Sequence, residues 1–248
     1  MGKYLTTSYR IFQGSFRPDK EKIAAATNYF IDLIKKSKGS KYKDVFAGTM
    51  GLFGCYSFNG NKIITTSGGG MLVSNNEDVV KKARFLAIQA REAEIHYEHK
   101  ELGYNYRMSN LLAAVGRGQL QVLNNRVKAR RHIFQRYFKA LSEIYGFYFM
   151  PEAPNSKSNR WLTTLSVDPK KTSVNRTQII DALEKENIEA RPVWKPMHLQ
   201  PLYKDCDYIT ADEEDVSANL FKNGLCLPSG SNLSYQDQTR VIDIIESM

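Results

Sequence analysis

Cysteine is scarce in this chain, with three in 248 residues. Cys55, Cys206 and Cys226 stand at spacings that suit neither a zinc site nor a disulfide framework. Cys55 and Cys226 lie in apolar, strand-like runs and are expected to be buried thiols. No stretch of about 18 apolar residues occurs, so no membrane-spanning helix is expected. The segment Met1 to Arg10 lacks the apolar centre of a signal peptide, and a cytoplasmic location is expected. Internal repeats and low-complexity tracts are absent. Acidic residues fall short of basic ones, 26 against 35, for a net charge of +9. The basic residues are spread along the chain, with no arginine-rich arm interleaved with aromatics, so nucleic acid is not an expected partner. A positive field instead suits an anionic small molecule. His96 and His99 stand close together, but no third ligand follows at a helical interval, so no metal site is expected.

What is present is an ordinary globular composition, 42% hydrophobic and 25% charged, in a chain long enough for one or two cores. Asp19 can cap a helix through Ile23, Tyr29, Phe30 and Ile34, with Gly39 just past its end. Strands are expected around 53–58 and 70–74, the first buried on both sides, and a helix over 76–90. Ser109 can cap a helix through Leu111, Leu112 and Val115. The longest helical pattern then runs from Leu120 to Leu141. Its other face carries Arg126, Lys128, Arg130, Arg131 and Arg136 and reads as solvated. The remainder reads as a small α+β domain. Strands are expected at 161–167, 188–194 and 225–227. Capping boxes appear at Asn175–Gln178 and Thr210–Glu213, and Ser234 with Asp237 opens a final helix. Asn187 and Gly224 are expected helix stops. The division expected is 1–118 for the first domain and 119–248 for the long helix and the second.

The most informative stretch is Gly54 to Met71. A strand leads into the polar turn Asn59-Gly60-Asn61, which delivers Lys62. Thr65, Thr66, Ser67 and Gly68–Gly70 follow, before a second apolar run. An amine on a strand-end turn, flanked by hydroxyls and flexible backbone, is what imine chemistry needs. The plain alternative is one more surface lysine in a hairpin turn.

Three segments carry a resemblance. The first is Ser57-Phe58-Asn59-Gly60-Asn61-Lys62 with its threonine- and glycine-rich sequel. The second is Glu101 to Asn110, followed by Ala113, Ala114, Gly116, Gln119 and Leu120. The third is Ile188 to Leu199, with Leu227-Pro228-Ser229 after it. In order and spacing they resemble the DegT/DnrJ/EryC1/StrS sugar aminotransferases, from about Lys38 to the C-terminus. The resemblance implies an α/β fold, with a partial fold-type-I large domain and a smaller C-terminal α+β domain. It implies pyridoxal 5′-phosphate as cofactor, a nucleotide-linked keto sugar as substrate, glutamate as amino donor, and a homodimer serving surface-polysaccharide synthesis.

By the same resemblance Lys62 is the cofactor lysine and proton shuttle. Ser57 is similar to the hydroxyl that bonds the cofactor phosphate. Asn105 is similar to the asparagine that reaches the phosphate of the other subunit's cofactor. Arg107 and His198 stand where substrate phosphates or sugar would be met. Read without the family, Asn105 is a turn residue ahead of a helix and His198 a packed histidine behind Pro196. The family also places a phosphate loop and an Asp-Ala-Ala-Glu run upstream of its lysine. Neither is recognisable in the 61 residues before Lys62, where Asp32 is out of register. A carboxylate beside the ring nitrogen makes the cofactor an electron sink. A shortened or rearranged member with weak turnover is therefore expected, the alternative being a non-catalytic relic, a partner subunit or a cofactor-binding regulator.

Overall fold

The computed structural model describes residues 39–210 and 214–248. The helix expected from Asp19 and most of the Thr210–Glu213 box lie outside them. The described elements, in order, are β1 (Lys41–Tyr42), β2 (Val45–Phe46), β3 (Phe53–Ser57), β4 (Gly70–Ser74), α1 (Glu77–Leu86), α2 (Asn110–Leu141), β5 (Phe147–Phe149), β6 (Ser156–Lys157), β7 (Thr163–Val167), α3 (Arg176–Lys185), β8 (Arg191–Pro192), α4 (Val216–Asn223), β9 (Gly224–Leu227) and α5 (Tyr235–Glu246). Two 3-10 turns, Met197–Leu199 and Pro201–Tyr203, precede α4. The chain forms two compact units whose boundary falls inside α2, after Val127, with Ala153–Asn159 returning to the first. No described helix is long and apolar enough to cross a membrane.

In the first unit β3 and β4 pair antiparallel, with Phe53 opposite Ser74 and Ser57 opposite Gly70. β1 pairs with β2 and with β6 in a small separate sheet. Asn76 caps α1, its side-chain oxygen accepting the N–H groups of Asp78 (2.9 Å) and Val79 (3.2 Å). Phe58, Ile64, Met71, Val73 and Leu120 form the local core, with Tyr56, Met108 and Leu123 packed on it. The expectation of a strand buried on both sides fails here. Gly54 and Phe58 face inward, while Phe53 (53% exposed), Cys55 and Ser57 face out. Side chains alternate along a strand, and the face of β3 that carries Phe53, Cys55 and Ser57 is exposed. Cys55 is thus an exposed thiol, and Cys226 alone of the pair is buried.

The second unit is a four-stranded antiparallel sheet in the order β5-β7-β9-β8. Leu165, Val167, Leu225 and Leu227 meet Ile179 and Leu183 of α3, Val241, Ile242 and Ile245 of α5, and Ile133, Tyr137 and Leu141 of α2. The Asn175–Gln178 capping box is complete, and Asn187 takes the left-handed conformation (φ 57°) that ends α3. Ser234 caps α5. The strand expected over 188–194 pairs only at Arg191–Pro192, where the proline removes a donor. α2 is one continuous helix of 32 residues. Its arginines do not form a solvated row. Arg130 Nη1 donates to the Trp161 carbonyl (2.5 Å), Arg131 pairs with Glu152 (3.0 Å), and Arg136 donates to the Tyr235 carbonyl (2.6 Å).

Candidate functional site

Lys62 sits at the end of a tight turn, its N–H donating to the Asn59 carbonyl (3.1 Å). The loop that presents it is clamped at its base. Phe58 N–H donates to Gly69 O (3.1 Å) and Thr66 N–H to Phe58 O (2.9 Å), while Thr65 Oγ1 also donates to Phe58 O (3.1 Å). Thr65 Oγ1 accepts the Ser67 N–H (2.8 Å), and the Thr66 hydroxyl donates to Gly68 O. Phe58, Ile64 and Thr66 are buried beneath the loop, while Lys62 is half-buried on it. Ser57 is exposed at the end of β3, where its Oγ accepts a long bond from Asn59 N–H (3.4 Å). That leaves the Ser57 O–H able to donate outward. A Cβ added at Gly68 would meet nothing within 4 Å, so the backbone is approachable there.

Asn105 and Arg107 lie on the strip leading into α2. Asn105 bridges to Ile88, and the strip is bonded to the end of α1 through Tyr104 N–H to Leu86 O (2.8 Å) and Tyr106 N–H to Ala87 O (3.1 Å). Together with Arg91, Tyr97 and Ser109 they line a groove of about 840 Å³. Met108 lines the same groove and packs on the Phe58–Ile64 core. A Cβ built on Gly69 would stand 2.8 Å from Met108 Cε, so the Lys62 loop lies directly against this strip. Lys62, Ser57, Asn105 and Arg107 therefore belong to one unit and neighbouring segments.

His198 belongs to the second unit. It lies in the turn Met197–Leu199, and its Nε2 bonds Asp215 Oδ2 at 2.7 Å. Tyr208 stacks on the ring at 3.6 Å between centroids and 7° between planes. Asp215 is also the cap of α4, its Oδ1 accepting from Ala218 N–H (2.9 Å), the Ser217 hydroxyl (2.8 Å) and the Tyr208 hydroxyl (3.2 Å). The Ala218 N–H bond, helped by Ser217 and His198, lowers the Asp215 carboxyl to about 2. Sequence reasoning missed Asp215 and Tyr208. An aspartate directly before a helical run was the available signal for the cap, and the box at Thr210 drew attention away from it. Ser229, in the motif after β9, is buried and structural. Its Oγ accepts Thr163 N–H (2.9 Å) and donates to Leu227 O (2.7 Å).

Comparison with known proteins places this geometry in context. A profile of the DegT/DnrJ/EryC1/StrS aminotransferase family matches residues 22–246. EpsN of Bacillus subtilis (strain 168), whose name puts it among pyridoxal phosphate-dependent aminotransferases, is 54% identical over 211 residues, 85% of this chain and 54% of its own length. GDP-perosamine synthase of Caulobacter vibrioides is 32% identical over 211 residues, 85% of this chain and 56% of its own. The crystal structure of a DegT DnrJ EryC1 StrS aminotransferase from Brucella abortus superposes with a TM-score of 0.72 at 26% identity, covering 84% of this chain and 54% of that one. The chain spans about half the length of the curated relatives it matches.

Proposed function

Because this chain belongs to the DegT/DnrJ/EryC1/StrS aminotransferase family, we propose that it supplies the lysine of a pyridoxal 5′-phosphate site and serves amino transfer to a nucleotide-linked keto sugar. The observation that carries this reading is Lys62 itself, half-buried on a turn whose base is held by Phe58, Thr65 and Thr66. When bound, the cofactor supplies an electrophilic aldehyde and an electron-withdrawing ring. The residues present fit that group. Lys62 offers the amine that holds the aldehyde carbon and afterwards moves a proton at the substrate carbon. The outward O–H of Ser57 can donate to a phosphate oxygen, and the open backbone at Gly68 leaves room beside it. Asn105 and Arg107 serve phosphate groups from the groove, in a homodimer where Asn105 reaches the partner's cofactor. His198 contacts the sugar nucleotide. Glutamate is the amino donor, and the product enters surface-polysaccharide synthesis. The name of one relative, GDP-perosamine synthase, supports the substrate class.

The second reading is cofactor binding without turnover, as a partner subunit or regulator. Absorbance after adding pyridoxal phosphate tests the reading. A visible band should appear that is absent in Lys62→Ala, and glutamate should bleach it where amino transfer takes place. A band of equal strength in Lys62→Ala would remove the basis of the proposal.

A further inference from the structure

We infer that Asp215 is a positioning residue that fixes the tautomer of His198, so that Nδ1 faces the ligand as a hydrogen-bond acceptor for a sugar hydroxyl. The inference rests on the reading of His198 as a substrate contact but concerns residues of the second unit alone. Oδ1 of Asp215 is occupied by three donors, the Ala218 N–H and the hydroxyls of Ser217 and Tyr208. Oδ2 is left for His198 Nε2 at 2.7 Å. An ionised carboxylate only accepts, so Nε2 carries the hydrogen. In a neutral imidazole the other nitrogen is then an acceptor. Nδ1 makes no hydrogen bond among the described residues, which leaves it as the nitrogen available to a ligand. Tyr208 lies flat against the ring, so the imidazole cannot swing away without losing both the stack and the Asp215 bond. The side chain is only 14% exposed, as suits a ring that presents one atom rather than a free surface group.

The substitution Asp215→Asn tests this without removing the helix cap, since asparagine caps helices as well as aspartate does. Its carbonyl oxygen must stay on the Ala218 N–H, which turns its NH2 toward His198 Nε2. The ring must then accept at Nε2 and carry its hydrogen on Nδ1, the wrong polarity for a ligand donor. On the full chain with 15N-labelled histidine, His198→Gln identifies the resonance among the four histidines. The expected result is an Nε2–H tautomer in the wild type, an Nδ1–H tautomer in Asp215→Asn, and a shift of wild-type Nδ1 on adding a GDP- or UDP-linked hexose. Affinity for that sugar nucleotide should fall about tenfold in the variant, while its far-UV circular dichroism stays that of the wild type. The same tautomer in both proteins, or no Nδ1 response to the sugar nucleotide, would overturn the inference. The measurement needs no cofactor, so failure of Lys62 to bind pyridoxal phosphate leaves it standing, and its failure leaves the Lys62 reading untouched.

Discussion

Gly103 offers the sharpest test of how the Asn105–Arg107 strip is held. A Cβ at this position would stand 2.3 Å from Ala90 N, 2.5 Å from the Gln89 carbonyl carbon and 2.8 Å from Leu86 O. All three are backbone atoms, so no side-chain rotation relieves the clash. Ordinary contact begins near 3.4 Å, and the strip must therefore retreat by about 1 Å. Three hydrogen bonds span that gap: Tyr104 N–H to Leu86 O (2.8 Å), Gln89 N–H to Tyr104 O (3.0 Å) and Tyr106 N–H to Ala87 O (3.1 Å). A 1 Å retreat stretches each beyond useful length. At about 1 kcal/mol apiece, Gly103→Ala should cost about 3 kcal/mol of local stability. Amide exchange at Gln89, Tyr104 and Tyr106 reads this directly and should speed up about a hundredfold. Gly60→Ala is the control, because its Cβ would meet nothing within 4 Å, and its effect should stay within about 0.5 kcal/mol. Protected amides and an unchanged denaturation midpoint in Gly103→Ala would refute the reasoning.

Two further outcomes follow from single groups. The Tyr137 hydroxyl is fully buried and has no partner among the described residues, and burial pushes its phenol well up. Tyr137→Phe should therefore stabilise the protein by about 1 kcal/mol, raising Tm by about 2–4 °C. A lower Tm would show that the hydroxyl is bonded. Asp215, lowered from 3.8 to about 2 by the Ala218 N–H first and then by Ser217 and His198, takes up its proton in the unfolded chain before the folded one. Its stabilisation is present above pH 3.8 and disappears as the pH falls to about 2. Stability curves of the wild type and Asp215→Ala should converge across that interval, and a constant separation down to pH 2 would contradict the assignment.

Helix starts were legible because the signals are local. Asn76, Asn175 with Gln178, and Ser234 each bond a backbone group two or three residues away, so the sequence neighbourhood holds both partners. The Lys62 turn was legible for the same reason: Asn59 and Lys62 are its two ends. The start of α4 was not. Two candidate caps stood five residues apart, and what favours Asp215 includes the bond to His198, 17 residues earlier. Cys55 was misjudged because an apolar run shows that a strand exists but not whether a layer packs on each of its faces. For β3 the face that carries Cys55 is exposed.

The arginines of α2 carry this distinction furthest. Their spacing puts them away from the apolar stripe, and a charged row of that kind is ordinarily solvated. The partners that bind them come from 31 residues away for the Trp161 carbonyl, 21 for Glu152 and 99 for the Tyr235 carbonyl. Periodicity reports the side of a helix on which a residue lies, whereas a partner is decided by which loop the fold returns to that side. The same limit governs the site. The type and spacing of Ser57, Lys62, Asn105, Arg107 and His198 suggested chemistry from the chain alone. The carboxylate that holds the His198 ring comes from another element, and only the folded arrangement reveals it.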